Sequence, residues 1–240
     1  MSIADNLSYV NQKIGAALEK RRARFLTLGR ECLSGSGVMI AAASKYVDAP
    51  AIIEAYDAGI RVFGENKVRD LKAKYEFISS ARPEILSELK FHTIGHLQTN
   101  KVRDAVEYSA MIQSVDSVKL ARKISEQCEK NSSRMDVLIE IKTSGEETKT
   151  GIEIDGAREL AEEISSLGGL NLAGVMTMAI FSDDAAAVGE CFMKAFDFFE
   201  ELKKKYGGRC EYLSMGMSDD FELAVEYGAN IIRPGRVLFK

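Results

Sequence analysis

The sequence lacks the long apolar segments that mark exported or membrane-spanning chains. No stretch of its 240 residues approaches the roughly 18 consecutive apolar residues of a transmembrane helix. The first residues also contain no apolar core of a signal peptide. We therefore expect a cytoplasmic protein that has no membrane partner.

Cysteine and proline are also scarce, and their placement is informative. The cysteines are far apart and show no CxxC spacing: Cys32, Cys128, Cys191 and Cys210. This pattern indicates reduced thiols rather than a disulfide framework, as is usual in the cytosol. With only three prolines and no low-complexity tract, the chain has no sign of disordered linkers.

Positive charge is not in excess, because the net charge is −4. The chain as a whole therefore has no electrostatic attraction to nucleic acid or to anionic membranes. Hydrophobic residues make up 46% and charged residues 28%, which is typical of a globular protein. The histidines, His92 and His96, are too few for a catalytic zinc site, so we expect no metal.

Apolar runs alternate with helical patterns along the whole chain. A helix is predicted over residues 4–33, and strands are predicted over 38–45, 60–63, 91–94, 111–115, 137–141, 172–178, 212–215 and 230–233. Eight strands separated by helices predict a closed (β/α)₈ TIM barrel, for which about 250 residues are usual. We expect a single domain over residues 1–240. No helix is predicted after the last strand, and the N-terminal helix is expected to close the outer ring there.

The first predicted strand ends in the candidate reactive residue. Residues 38–43 are apolar without alternation, as in a strand covered on both faces, and Ser44 and Lys45 follow. A lysine at the carboxyl end of a barrel strand lies where this fold places its chemistry. Burial there would favour the neutral, nucleophilic amine. The alternative is a lysine that reaches out to water.

Two turns near the end of the chain have the composition of a phosphate site. One spans Ser214 to Ser218 with Gly216 between the hydroxyls, and the other contains Arg233, Gly235 and Arg236. The loops after the seventh and eighth strands are the usual phosphate site of a TIM barrel. A phosphate site opposite a lysine fits either a sugar-phosphate aldolase or a protein that holds pyridoxal phosphate on Lys45.

The residues of five sequence motifs distinguish these alternatives. In order, the chain contains Ala-Ser-Lys at 43–45, Phe-Gly-Glu-Asn at 63–66, Ile-Gly-His-Leu-Gln-Thr-Asn-Lys at 94–101, Ser-Val-Asp at 114–116 and Leu-Ser-Met-Gly-Met-Ser-Asp-Asp-Phe at 213–221. Together these segments resemble the pyridoxal phosphate homeostasis proteins (the YggS or PROSC family). The resemblance extends over nearly the whole chain.

The resemblance implies the barrel of the alanine racemase class (fold type III) and pyridoxal 5′-phosphate as cofactor. It implies that Lys45 forms the Schiff base, that Asn66 and residues 176–177 line the ring pocket, and that Arg233 faces the pyridine nitrogen. It further implies that the phosphate is held by Ser214, in the turn whose Gly216 also contacts the cofactor, and by Gly235 and the amide of Arg236 in the last turn.

Two segments depart from the family pattern. Residues 67–70 read Lys-Val-Arg-Asp where an aromatic residue and Gln-Glu are usual, and the last turn has Pro234 and Arg236 in place of Ile and Thr. Loss of that threonine removes a hydroxyl from the phosphate site. We expect the charge of Arg236 to replace it, so that removing this side chain weakens binding roughly 10- to 150-fold. Lys149 is a further candidate for cofactor handling.

The resemblance also implies a function. Members of the family are regarded as carriers and regulators of pyridoxal phosphate, with no established catalytic reaction. We therefore expect a monomer that binds pyridoxal phosphate reversibly and delivers it to apo-enzymes. The alternative is an amino-acid racemase of fold type III, which needs a second acid–base group opposite Lys45. This sequence shows no second domain to present such a group.

Overall fold

The computed structural model describes residues 2–30, 37–144 and 150–240. Eight parallel strands form a closed barrel in sequence order, as predicted. The strands are β1 (Met39–Ala43), β2 (Val62–Glu65), β3 (Lys90–Thr93), β4 (Met111–Val115), β5 (Met135–Ile141), β6 (Leu170–Thr177), β7 (Tyr212–Ser214) and β8 (Ile231–Ile232). The barrel closes where β1 pairs with β8 through Met39 opposite Ile231.

Helices surround this barrel. They are α1 (Ile3–Thr27), α2 (Ala49–Asp57), α3 (Val68–Ala81), α4 (Val102–Tyr108), α5 (Val118–Lys130), α6 (Ile154–Ser166), α7 (Ala185–Tyr206), α8 (Phe221–Glu226) and α9 (Arg236–Phe239). None of the described helices is both long and apolar enough to cross a membrane. Between β2 and α3, and between β7 and α8, the connections are short, so the strand ends and helix starts form one face.

The N-terminal helix closes the outer ring, as expected. Ser2 begins it with a capping box, in which the Ser2 hydroxyl accepts from the Asp5 amide at 3.1 Å. The helix packs against α8 and α9. On its inner face, the Asn6 side-chain amide donates to the carbonyl of Leu238 at 3.0 Å. The first helix ends at Thr27, earlier than the predicted residue 33.

The expectation that no helix follows the last strand was wrong. Residues Arg236–Phe239 form one helical turn, because the carbonyl of Gly235 accepts from the amides of Leu238 and Phe239 at 3.0 and 3.1 Å. This turn contributes Leu238, which is fully buried, to the core. The end of the chain is therefore packed against α1.

The core has two layers, as the strand pattern requires. A large apolar layer lies between the strands and the helices, and a small cluster fills the barrel interior: Ala41, Met111, Leu138, Ala173, Met176 and Ile231. Each strand is covered on both faces, which explains its apolar residues without alternation. Above this interior cluster, the strands carry buried polar side chains toward the carboxyl end of the barrel.

The cysteines agree with the expectation of reduced thiols where they are described. Cys128, Cys191 and Cys210 are buried and free. Burial raises the pKa of the Cys210 thiol to about 12, so this thiol is unreactive at neutral pH. Cys32 lies outside the described residues.

Candidate functional site

Lys45 lies in the turn after β1 and is exposed, so the prediction of a buried strand-end lysine was wrong. The strand ends at Ala43 because Ser44 turns the chain: its amide donates to the carbonyl of Gly64 at 3.0 Å, and its carbonyl accepts from the amide of Val47 at 3.0 Å. The Lys45 ammonium lies 5.0 Å from the centre of the Tyr46 ring. The lysine is therefore held at the rim of the barrel, where solvent reaches it.

A buried ion pair supports this turn from behind. Glu65, at the end of β2, accepts from the Ser44 hydroxyl at 2.7 Å and from the Lys74 ammonium. Lys74 also donates to the Ser44 carbonyl at 2.8 Å. The side chains of Glu65 and Lys74 are only 1% and 11% exposed. All polar atoms of Ser44 are thus bonded, which fixes the backbone just before Lys45.

A cavity of about 230 Å³ opens at the carboxyl end of the barrel beside Lys45. Its lining includes three of the predicted residues, Lys45, Asn66 and Arg233. The remaining lining residues are Ala43, Ile94, Gly95, His96, Thr150, Met178 and Met217. Thr177, which was expected to line it, is fully buried behind the cavity, where its hydroxyl donates to the Ile141 carbonyl at 2.9 Å.

Arg233 forms the opposite wall and is almost completely buried, at 4% exposure. Its Nη1 donates to the Ser214 hydroxyl at 2.7 Å, and its Nη2 donates to the Thr177 carbonyl at 2.8 Å. Burial lowers the pKa of Arg233 to about 10, while the charges of Asp220 and Glu140 oppose this change. The guanidinium therefore remains cationic at neutral pH and has a fixed orientation.

The two hydroxyls of the 214–218 turn have different environments. Ser214 is fully buried, and its hydroxyl is bonded to Arg233 and to Gln113 inside the barrel. The hydroxyl on the outer side of the turn belongs to Ser218, which accepts from the amides of Gly235 and Val237 at 3.0 and 3.4 Å. The Ser218 hydroxyl, which accepts from these two amides, can donate its own proton to an anion, whereas the sequence had favoured Ser214.

Two glycines in these turns lie where a side chain would be crowded. Gly216 has a φ of 93°, and a Cβ there would lie 2.5 Å from the Ala224 Cβ. Its carbonyl accepts from the Arg233 amide at 2.8 Å. Gly235 lies so close to β1 that a Cβ would come within 3.0 Å of the Ala43 carbonyl oxygen. Both glycines bring the turns after β7 and β8 close to the cavity.

Arg236 is placed differently from Arg233. Its guanidinium pairs with the carboxylate of Asp219 on the surface, where these side chains are 57% and 55% exposed. The charge that was expected to replace the missing threonine hydroxyl is therefore compensated by a neighbouring carboxylate. A ligand phosphate would have to compete with Asp219 for this guanidinium.

Acidic groups and a histidine occupy another part of the rim. His96 Nδ1 lies 3.3 Å from Asp116 Oδ2, and the Thr150 hydroxyl donates to Glu140. Burial raises the pKa of Glu140, which is 2% exposed. Within the described ranges, no three His, Cys, Asp or Glu side chains are arranged to hold a metal ion.

Sequence reasoning assigned no role to Gln113, Glu65 or Lys74, and it named Ser218 only as one hydroxyl of the 214–218 turn. Ser218 is part of the Leu-Ser-Met-Gly-Met-Ser motif, so its hydroxyl was visible in the sequence but not its direction. A glutamine within the apolar strand 111–115 was a signal of a buried polar contact. The pairing of Glu65 with Lys74 needs α3 to fold back on β2. Lys149 lies outside the described residues.

The comparisons with known proteins concern the chain as a whole. The model of the alanine racemase N-terminal domain matches residues 28–240. A pyridoxal phosphate homeostasis protein of Aquifex aeolicus is 37% identical over 239 residues, covering 100% of this chain and 98% of the relative. The homologue of the same name from Vibrio cholerae is 36% identical, covering 99% of this chain and 95% of that protein.

A solved structure also matches over its whole length. PipY of Synechococcus elongatus, with pyridoxal phosphate bound, superposes with a TM-score of 0.82 at 31% identity and covers 100% of both chains. The identity and the coverage exceed what a shared fold alone would give. The chain belongs to the pyridoxal phosphate homeostasis proteins, within the alanine racemase N-terminal domain family.

Proposed function

We propose that this protein binds pyridoxal phosphate as a Schiff base on Lys45 and delivers it to apo-enzymes. One observation carries the proposal: Lys45, Asn66 and Arg233 line one cavity, and the amides of the last turn converge on Ser218 beside it. An amine, a ring-facing donor and an anion-binding turn match the aldehyde, the ring and the phosphate of this cofactor. The relatives are named for pyridoxal phosphate homeostasis, and PipY is described with the cofactor bound.

The residues have separate roles in this proposal. When bound, pyridoxal phosphate supplies an aldehyde for amines and a ring that withdraws electrons. Ser218, whose hydroxyl accepts from the amides of Gly235 and Val237, would donate its own proton to the phosphate, and Asn66 would border the ring. Arg233, which stays cationic at neutral pH, would face the ring nitrogen and would keep that nitrogen unprotonated, which limits electron withdrawal.

The exposure of Lys45 favours a carrier over an enzyme. Water and other amines can reach this side chain at the rim, which suits exchange of the cofactor. An enzyme that generates a carbanion benefits from excluding water. The ion pair behind Ser44 fixes the backbone of the turn without covering the lysine.

Amino-acid racemisation is the second candidate, and one observation favours it. His96 lines the same cavity as Lys45 and is paired with Asp116, as acid–base histidines often are. Racemisation needs two such groups on opposite faces of the substrate. The two functions therefore differ in whether His96 exchanges a substrate proton.

The attachment is tested by borohydride reduction of the loaded protein followed by peptide mass mapping. We expect the pyridoxyl group on Lys45, and its loss in Lys45→Arg. Lys67→Arg is a matched control, because it changes another exposed lysine near the rim and should leave the label in place. Label on a different lysine, or label that persists in Lys45→Arg, would contradict the proposal.

Delivery is tested by mixing the loaded protein with an apo-enzyme in the presence of a phosphatase that destroys free pyridoxal phosphate. Activation of the apo-enzyme should persist if the cofactor is passed directly, and it should disappear if release to solution comes first. In parallel, α-proton exchange of L- and D-alanine in deuterated water tests the racemase. Exchange at about 1 s⁻¹ or faster, abolished in His96→Gln, would support the enzyme instead.

A further inference from the structure

Arg233 is one end of a row of buried side chains that crosses the barrel interior. From the residue after β8, its Nη1 donates to the Ser214 hydroxyl on β7 at 2.7 Å. Ser214 donates to Gln113 Oε1 on β4 at 2.6 Å, and Gln113 Nε2 lies 2.9 Å from His92 Nδ1 on β3. Each of these four side chains is less than 5% exposed. The row therefore links strands on opposite sides of the barrel.

The chemistry of the groups gives the hydrogen bonds of this row one direction, with donors on the Arg233 side and acceptors on the His92 side. A guanidinium can only donate, so the Ser214 oxygen accepts from Arg233 and its proton is directed to Gln113. The carbonyl of Gln113 accepts that proton, and its amide group donates onward to His92 Nδ1. His92 Nδ1 must then be unprotonated, which places the imidazole proton on Nε2.

The burial of His92 agrees with this direction. Desolvation lowers the pKa of His92 to about 4, so the imidazole is neutral at physiological pH. A protonated His92 would carry a proton on Nδ1 and would face the amide group of Gln113 donor to donor. Turning the Gln113 amide over would then place its NH₂ group against the Ser214 hydroxyl, which would have to accept from both Gln113 and Arg233.

We propose that Gln113 and His92 are positioning residues, which hold the Arg233 guanidinium toward the cavity through Ser214. The Thr177 carbonyl fixes one end of the guanidinium, and Ser214 fixes the other. Without Gln113 the Ser214 hydroxyl has no fixed rotamer, so it no longer presents a lone pair to Arg233 alone. The Ser214 hydroxyl thus belongs to this row rather than to a phosphate site.

The first test uses the protein without ligand. The chain has only two histidines, so ¹⁵N NMR resolves the imidazole of His92 from that of His96. We expect His92 to be the Nε2–H tautomer between pH 5 and 8, and Gln113→Met to produce a mixture of tautomers. Ser109→Ala is the control, since it also removes a buried hydrogen bond, the one between Ser109 and Thr93, outside the row. An Nδ1–H tautomer of His92 in the unmodified protein, or an unchanged tautomer in Gln113→Met, would contradict the proposed row of hydrogen bonds.

The second test asks whether Gln113 acts through Arg233, and it rests on the proposed binding of pyridoxal phosphate. Loss of one neutral hydrogen bond is expected to weaken pyridoxal phosphate about 5-fold in Gln113→Met and to shift the absorbance maximum of the bound form. In the Arg233→Lys background the same change should weaken binding by less than about 2-fold, because the guanidinium it positions is gone. Equal effects in both backgrounds would mean that Gln113 acts independently of Arg233.

His92→Phe is the second variant, for use if Gln113→Met does not fold. It should likewise weaken pyridoxal phosphate binding less in the Arg233→Lys background than in the unmodified protein. Its melting temperature, compared with that of Ser109→Ala, separates general destabilisation from a change at Arg233. Failure of the proposed function can be distinguished from failure of the positioning role. If the unmodified protein carries no label on Lys45, the proposed function is wrong while the NMR result stands. If the unmodified protein binds pyridoxal phosphate at Lys45 but the effects of Gln113→Met and Arg233→Lys on binding are additive, the positioning role is wrong.

Discussion

The two cationic side chains of the cavity, Lys45 and Arg233, are held in opposite ways. Lys45 is exposed on a turn, and the bonds made by the preceding residue Ser44 fix the backbone just before it. Arg233 is buried, and its side chain is bonded at both ends of the guanidinium. One wall of the cavity thus fixes a charge in space, whereas the other presents an amine to solvent. A protein that binds and releases a ligand needs both properties, and this chain assigns them to different strands.

The largest effect is expected on the Lys45 side, where a buried ion pair supports the turn. Replacing Lys74 in Lys74→Met leaves the Glu65 carboxylate without its counter-ion at 1% exposure. We expect a loss of about 3–5 kcal/mol in the free energy of unfolding, measured by urea denaturation. The cause is the desolvated charge that remains, not the lost attraction itself.

Lys72→Met is the matched control for that variant. Lys72 is on the same helix, but its pair with Glu76 is exposed, so its loss should cost less than about 0.5 kcal/mol. Adding Glu65→Leu to Lys74→Met should recover much of the stability, because no buried charge is then left. Equal losses for Lys72→Met and Lys74→Met would show that the pair does not stabilise the Lys45 turn.

On the Arg233 side, the expected effect depends on pH. The pKa of His92 is lowered by burial from 6.5 to about 4 in the folded state, so between these values the unfolded chain binds a proton that the folded one does not. The contribution of His92 to stability is therefore fully present above pH 6.5 and is lost as the pH decreases toward 4. At about 1.4 kcal/mol per pH unit, the loss is about 3 kcal/mol.

The contribution of His92 is isolated by comparison with His92→Phe. The difference in unfolding free energy between the two proteins, measured by urea denaturation at pH 6.5 and pH 4, should shrink or reverse by about 3 kcal/mol at the lower pH. Raised pKa values of Glu140 and Asp220, both caused by burial, act in both proteins and cancel. A difference that is constant across this range would contradict a buried neutral His92.

The smallest effect is expected for Arg236, three residues after Arg233. Because its guanidinium is exposed and paired with Asp219, Arg236→Ala should change the free energy of unfolding by less than about 1 kcal/mol. Affinity for pyridoxal phosphate should fall by no more than about 3-fold, less than the sequence suggested. Asp219→Asn frees the guanidinium and should strengthen binding of the phosphate form but not of pyridoxal, as measured by fluorescence titration. A fall of 10-fold or more in Arg236→Ala would restore the original expectation.

The order of strands and the family could be read from the sequence because both depend on local patterns. Continuous apolar runs such as residues 38–43 predict strands covered on both faces, and β4 was predicted with its observed bounds, Met111–Val115. The barrel followed from the number and alternation of these runs. The motifs at 43–45, 63–66, 94–101, 114–116 and 213–221 together identified the family, and the barrel fold placed the turns after the last two strands near each other.

The direction of side chains was decided only by the tertiary structure. Ser214 and Ser218 have the same chemistry and lie in the same motif, yet one is bonded to Arg233 in the barrel and the other to the amides after β8. Which hydroxyl bonds to Arg233 and which to the amides depends on how β7 and β8 pack together. That packing cannot be inferred from the local sequence.

The same division holds for burial and charge. The sequence alone predicted that Lys45 comes at the end of a core strand, that Arg233 ends the last strand with Arg236 after it, and that the chain forms a barrel of this family. The exposure of Lys45, the burial of Arg233 and the pairing of Arg236 with Asp219 became apparent only in the folded chain. Desolvation and ion pairing arise from residues distant along the chain, such as Lys74 at Ser44 and Gln113 at Ser214, which only folding brings into contact.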